Sequence, residues 1–321
     1  MSLNTKGALF ALLGYGIYAT HDVIIKYLGA TYSPFQILFF SVIFGFPLIS
    51  FMLVKDTKAE NLRPRHPWWT ALRVVSMLIS TACIFYAFSV LPLAQTYSIL
   101  FMVPLIITLL SIPILGERVG LHRGCAIVLG LIGVLIVVRP GSSELTLGHA
   151  AVFVGTFFSS MAAIIVRRIG REERDVVLLL YPMLASFLVM GALMPFDYKP
   201  MPLVDLGAVA LLSFLGFIAL NFMIVAYKTG EAGIVAPMQY SQIIWATIFG
   251  HFIFGEKPDM QTLLGAGVVI LSGLYIVLRE SRKDISENTP VLRSRGRMTG
   301  GISFLIGPVL RRAKKDKEPD T

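Results

Sequence analysis

The chain has 321 residues, 55% of them apolar and 15% charged, with a mean hydropathy of +0.75. A soluble domain carries roughly a quarter charged residues, so this composition excludes an ordinary water-soluble fold and describes a protein whose main solvent is lipid. The net charge of +9 does not make it a nucleic-acid binder, because Lys and Arg fall between apolar runs and in the C-terminal tail, where they act as topology signals and meet lipid headgroups.

Apolar runs of about 20 residues, the length a helix needs to cross the hydrocarbon core, recur along the chain. The short alternating segments of a membrane barrel are absent. The expectation is an all-α polytopic membrane protein with about ten transmembrane helices, at 7–27, 34–54, 68–90, 93–115, 121–138, 147–166, 176–194, 203–226, 232–254 and 261–278. The first run is too long for the apolar region of a signal peptide and lacks a small-x-small exit. It also ends in His21, Asp22 and Lys26.

Loops after even-numbered runs, with the adjoining run ends, hold twelve Lys or Arg, and those after odd-numbered runs, counted the same way, hold four, Lys26, Arg139, Lys199 and Lys257. Basic loops stay in the cytoplasm, which predicts that both termini lie there, in a bacterial inner membrane. Residues 280–321 leave the apolar pattern and read as a basic, largely disordered cytoplasmic tail. Within that tail, apolar residues 302–310 precede a basic run at 311–315 that could lie on anionic lipid. Cys83 and Cys125 fall inside apolar runs and read as buried structural thiols.

Two stretches repeat. In register, Ala87 meets Ala226, Thr108 meets Thr247, Gly116 meets Gly255 and Glu117 meets Glu256. After a one-residue shift, Ala126 meets Ala266, Gly133 meets Gly273 and Arg139 meets Arg279. This divides the chain into a first five-helix repeat, 1–140, a second, 141–279, and the tail, 280–321. An odd number of helices inserts the second copy upside down, so the copies form inverted repeats, the geometry of alternating access. In register, Ser98 stands opposite Pro237 and Pro104 opposite Ile243, so the helix breaks of the two copies are not expected to coincide.

Asp22 is the carboxylate placed well inside a span, where an ionisable group is costly and tends to mark function. It reads equally as a counter-charge for a cationic substrate and as half of a structural i,i+4 ion pair with Lys26. Gln239, Tyr240, Gln242 and Trp245 cluster beside Pro237, which frees a backbone carbonyl in mid-membrane. Amides beside aromatic rings suit a flat heterocycle or an amino-acid headgroup; the competing reading is interhelical glue. Gln95, Tyr97, Ser98 and Pro104 occupy comparable depth in the other copy, and Tyr86 and Asn221 could complete a midplane site. His251 could carry a proton. Glu117 and Glu256 read as capping or hinge residues beside Gly116 and Gly255, while Pro104 and Pro237 are the other hinge candidates. Arg73 reads as a topology signal, with an anion-holding role as the alternative. The glycines at 124, 130, 133, 265, 267 and 273 permit close helix contact.

The pattern Ala-x2-Ala…Pro-Leu…Leu-Gly-Glu…Gly-x2-Leu across 93–138, and Ala-Gly-Ile-Val-Ala-Pro-Met-Gln-Tyr followed by Phe-Ile-Phe-Gly-Glu-Lys-Pro-Asp across 232–259, resemble the EamA family of the drug/metabolite transporter superfamily. His-Asp-Val-Ile-Ile-Lys-Tyr-Leu-Gly at 21–29 with Ala-Pro-Met-Gln-Tyr at 236–240 is most similar to bacterial S-adenosylmethionine uptake carriers, with riboflavin importers as the neighbouring subgroup. The resemblance implies a secondary transporter of a small metabolite, imported or exported, and leaves a homodimer open.

No phosphate-binding Gly-x4-Gly-Lys-Ser/Thr loop occurs, and the five histidines have no partners at catalytic or metal-ligand spacing. No cofactor and no metal are therefore expected, and an enzyme is disfavoured; a channel or membrane scaffold is the rival class. A single intramembrane carboxylate predicts exchange, or downhill flow with at most one coupled proton.

Overall fold

A computed structural model of the chain describes residues 3–53, 63–116, 121–139, 145–170, 172–230 and 232–281. Their regular secondary structure is helical. The helices are α1 (Leu3–Gly29), α2 (Pro34–Leu53), α3 (Pro67–Val90), α4 (Leu93–Leu100), α5 (Val103–Leu115), α6 (Leu121–Val138), α7 (Leu147–Ile169), α8 (Asp175–Leu193), α9 (Leu203–Thr229), α10 (Ala232–Val235), α11 (Gln242–Phe254) and α12 (Met260–Ser281). Seven stretches among the described residues are long and apolar enough to cross a membrane, and Pro34–Pro47 and Gly124–Val138 are shorter apolar helices. The protein is a multi-pass membrane protein.

Each apolar run expected to be helical is helical, but two are interrupted. The run at 93–115 breaks at Phe101-Met102, where Pro104, lacking an N–H, opens the next helix. The run at 232–254 passes through a 3-10 stretch, Ala236–Ser241, that begins around Pro237. The prolines differ in register, as the sequence indicates, yet the helices that follow match. The alignment that pairs Gly116 with Gly255 also pairs Val103 with Gln242, so α5 and α11 start and stop at corresponding residues and each has 13. The expectation that the breaks would not coincide therefore holds for the prolines and fails for the restarts. Both helices end on a left-handed glycine, Gly116 at φ 69° and Gly255 at φ 65°, a conformation that a Cβ would strain.

Packing follows the same correspondence. α1 lies antiparallel along α9, and α7 along α3. A methyl added at Gly14 would meet Met223 and the Ala219 carbonyl, and one at Gly155 would meet Ile84 and the Ser80 carbonyl. Ile84 and Ser80 are the register partners of Met223 and Ala219. α6 packs on α12 with almost no side chain between the backbones: a methyl on Gly133 would lie 2.9 Å from the Gly265 carbonyl, and one on Gly265 2.6 Å from the Gly133 carbonyl. Ser272 adds a hydrogen bond across this seam to the Ala126 carbonyl. Such backbone proximity is how helices associate where lipid offers no hydrophobic drive.

Gly130 and Gly273 also sit at close contacts, whereas Gly124 and Gly267 face open space and contribute none, contrary to expectation. Cys125 is exposed and Cys83 half-buried, so the expectation of two buried thiols is corrected. In lipid an outward-facing cysteine carries no solvation penalty, and hydropathy cannot separate it from an inward one. The last helix continues through Glu280 and Ser281, while the rest of the tail, 282–321, and Glu117 lie outside the described residues.

Candidate functional site

The broken helices bring polar side chains into the middle of the bundle. Asp22 on α1 is fully buried. Its Oδ1 lies 2.8 Å from Nδ1 of His21, and its Oδ2 accepts a hydrogen bond from the Tyr97 hydroxyl. Tyr97, in the last full turn of α4, is 2% exposed. Its hydroxyl in turn receives the Gln242 side-chain amide at 3.4 Å. Gln242 is the first residue of α11, so α1, α4 and α11 converge on one carboxylate. Because Asp22 accepts at Oδ1, the His21 ring presents an N–H at Nδ1. The far side of that ring rests over Gly216 of α9, 3.5 Å from where a Cβ would stand.

Aromatic rings wall this network. Tyr97 packs against Phe88, with ring centroids 5.4 Å apart, and against Phe101 at 6.1 Å. Phe101 meets Tyr240 edge to face at 5.1 Å. The Tyr240 hydroxyl reaches α12, where a methyl on Gly273 would fall 2.1 Å from it. Trp245, one turn beyond Gln242, stacks on Phe249 and lies against Gly16 of α1. Gln239 is half-buried in the 3-10 stretch.

The expected Asp22–Lys26 pair does not form. Lys26 instead reaches Glu256, with Nζ 2.8 Å from Oε1, donates to the Leu91 carbonyl at 2.6 Å and passes over the Phe254 ring. Glu256 also accepts the backbone N–H of Leu93 at 2.9 Å. It thus caps the first turn of α4, satisfying an otherwise orphaned donor with a charged acceptor. The left-handed turn at Gly255 folds the carboxylate back over Gly250. A capping role for Glu256 was legible; the helix it caps and its cation were not.

The Lys26–Glu256 pair stands between two cavities at one end of the bundle. One, about 290 Å³, is lined by Gln95, Arg139, Glu256, Lys257 and Asp259 among others. The second, about 530 Å³, is lined by Lys26, Tyr32, Ser89, Asp205 and Phe254 among others. Neither lining includes Asp22, Tyr97 or Gln242. Arg139 pairs with Asp259 across the first cavity, and Thr262 donates its N–H to the same carboxylate. Arg139, with Thr262, holds the Asp259 carboxyl down at about 2.

Four candidates from the sequence are placed elsewhere. Gln95 meets Nε2 of His149 at 2.9 Å and belongs to the cavity mouth. Asn221 donates to the Phe217 carbonyl of its own helix, as mid-helix polar residues often do. Tyr86 is half-buried on α3, and none of the hydrogen bonds described for Asp22 involves it. His251 is exposed, its ring against Phe252, away from the polar centre. Conversely, His21 was not among the sequence candidates although it flanks Asp22; the adjacent His-Asp pair inside an apolar run was the available signal.

A model of the EamA-like transporter family matches residues 5–139 and again residues 146–279. An S-adenosylmethionine uptake transporter of Rickettsia prowazekii (strain Madrid E) is 24% identical over 285 residues, spanning 88% of this chain and 96% of the relative. The pseudopaline exporter CntI of Pseudomonas aeruginosa (strain UCBPP-PA14) is also 24% identical over 285 residues, covering 88% of this chain and 99% of the exporter. A solved crystal structure aligns over 84% of this chain and 96% of its own, with a TM-score of 0.56 at 18% identity, a likeness of fold.

Proposed function

The chain belongs to the EamA-like transporter family, and from that premise we propose that it is a secondary carrier for a small metabolite with a cationic or heterocyclic part, S-adenosylmethionine first among them. The carrying observation is Asp22, a fully buried carboxylate whose oxygens are met by His21 and Tyr97. A buried charge needs compensation. Here the His21 ring and the Tyr97 hydroxyl supply it, and a cationic ligand takes their place. S-adenosylmethionine offers a sulfonium for Asp22 and a flat adenine for the Tyr97, Phe101 and Tyr240 rings, with Gln242 as an amide at the edge.

Two inverted five-helix copies, 1–140 and 141–279, move the ligand by opening alternately to either side, with both termini in the cytoplasm. The double match of the family model and the corresponding helix contacts support this arrangement. So do the matched starts of α5 and α11, whose ends abut the site as the half-helices of carriers do. The Lys26–Glu256 pair holds one mouth shut. Asp22 allows at most one coupled proton, so exchange or downhill flow is the mode.

Purified full-length protein in liposomes tests this with labelled S-adenosylmethionine against riboflavin, amino acids and purines, uptake and efflux measured separately. Saturable flux accelerated by substrate on the far side is expected, and the absence of saturable flux of any of them defeats the reading. The similarity to an exporter supports outward transport as the second reading, which the efflux arm decides.

A further inference from the structure

Arg73 is the largest of the fully buried side chains, 1% exposed on the second turn of α3. Its position is opposite the Lys26–Glu256 mouth: Ser89, which lines the 530 Å³ cavity, is at the other end of the same helix, about 24 Å away at 1.5 Å per residue. One donor of its guanidinium is accounted for. Pro182 in α8 has no N–H, so the Leu178 carbonyl four residues earlier loses its helical partner, and Nη1 of Arg73 fills that role.

A neutral amide would do the same without burying a charge. Arg73 has further donors, and its Nε, buried, meets no acceptor among the described residues. None of the ion pairs among the side chains the structure describes involves it. One turn away on the same face, Thr70 is 1% exposed and its hydroxyl has no partner among the described residues either. Among the described side chains this leaves a buried cation without a counter-ion and a buried hydroxyl without a partner, three residues apart, which is what an oxyanion site presents. The register of α3 and α9 puts Leu212 where Arg73 would recur, so the feature belongs to one half only.

We infer that Arg73 and Thr70 form an oxyanion subsite that takes the carboxylate of the carried metabolite when the bundle opens at the end opposite Glu256. The inference rests on the carrier reading and deepens it: the substrate class is a zwitterion or amino acid, with its cationic part held at Asp22 and its carboxylate handed to Arg73. Guanidinium presents paired N–H donors that match a carboxylate, and the threonine hydroxyl adds a third.

The test is thermal unfolding of the full-length protein in detergent, followed by tryptophan fluorescence. Acetate and L-methionine are compared with acetamide and L-methioninamide at matched ionic strength. Each carboxylate is expected to raise the midpoint more than its amide, with acetamide leaving it unchanged and L-methioninamide giving only the shift due to its ammonium at Asp22. Arg73→Gln, which keeps a donor for Leu178, is expected to hold the ligand-free midpoint and weaken carboxylate binding about 100-fold. Should that variant fail to fold, Thr70→Val, with charge and the Leu178 bond intact, is expected to weaken it about tenfold.

An equal carboxylate shift in wild type and Arg73→Gln overturns the inference, as does the lack of any shift in wild type. Nanodiscs with and without phosphatidylglycerol form the last arm. Stabilisation that depends on Arg73 and on that lipid, with free carboxylates silent, assigns the site to a lipid phosphate and also overturns it. Binding is read without transport, so an Arg73-dependent shift in a protein showing no flux would defeat the carrier reading and leave the subsite standing, and flux without the shift would do the reverse.

Discussion

Phe101 and Tyr240 occupy the same register position in the two halves of the chain, and their rings meet edge to face at 5.1 Å. A residue touches its own counterpart only where the operation relating them leaves its position nearly unmoved. For inverted copies that is the two-fold axis, and this pair marks where it would run, beside Tyr97 and Asp22. The arrangement depends on Gly273, which leaves room for the Tyr240 hydroxyl. Gly273→Ala puts a methyl 2.1 Å from that oxygen, and is expected to cost about 1–3 kcal/mol, the range for overpacking. Tyr240→Phe removes the obstructing atom, so the double variant should recover most of the loss. Unfolding midpoints of the four proteins check the coupling, and strictly additive effects would contradict it.

Asp22→Asn keeps size and most hydrogen bonding but removes the charge. For a cationic substrate, kcat/KM is expected to fall about 100-fold or more, with a smaller change for a neutral competitor. Initial rates in liposomes measure it. Unchanged pH-driven transport in this variant would also remove Asp22 from any proton coupling.

At the mouth, Lys26 and Glu256 are 12% and 15% exposed as side chains, so their pairing is screened less than a surface salt bridge. Either Lys26→Gln or Glu256→Gln should loosen this end and raise thiol labelling of an introduced Ala94→Cys lining the cavity. Exchange of the charges, Lys26→Glu with Glu256→Lys, should reverse much of that, although the cap on Leu93 is then lost. Labelling rates that stay at the wild-type value in the single variants would exclude a latch.

The Asp259 carboxyl, held at about 2 by Arg139 and Thr262 against an ordinary value of 3.8, gives a pH test. The folded protein binds this proton more weakly than the unfolded chain. The resulting stabilisation is complete above about pH 4 and is lost as the pH falls through about 2. The difference in unfolding midpoint between wild type and Asp259→Asn should therefore be flat above pH 4 and shrink below it. A difference that grows on acidification would have the wrong sign.

The helical spans were legible because apolar length has one meaning in lipid, and the prolines at 104 and 237 announced the two interruptions. What local rules could not supply was the partner across the fold. The i,i+4 rule favours Asp22–Lys26, but Glu256, distant in sequence, offers Lys26 an ion pair while Asp22 is met by Tyr97 from α4. Arg73 looked like a loop-side topology residue, since only the α8 contact explains its burial. Outward and inward faces were equally hidden: Cys125 is exposed and an added Cβ at Gly124 or Gly267 would meet nothing, and an apolar surround leaves no trace of that in composition.

The lone guanidinium on α3 and the lone carboxylate on α1 have a consequence for the resting protein. By the registers of the packed glycines, Ala163 and Leu212 stand where Asp22 and Arg73 would be repeated. Interchanging the two halves therefore does not regenerate the same molecule, so on the proposed alternating mechanism the inward-open and outward-open forms differ in energy. An idle carrier of this kind dwells unequally at its two faces, and its direction of use starts from that imbalance.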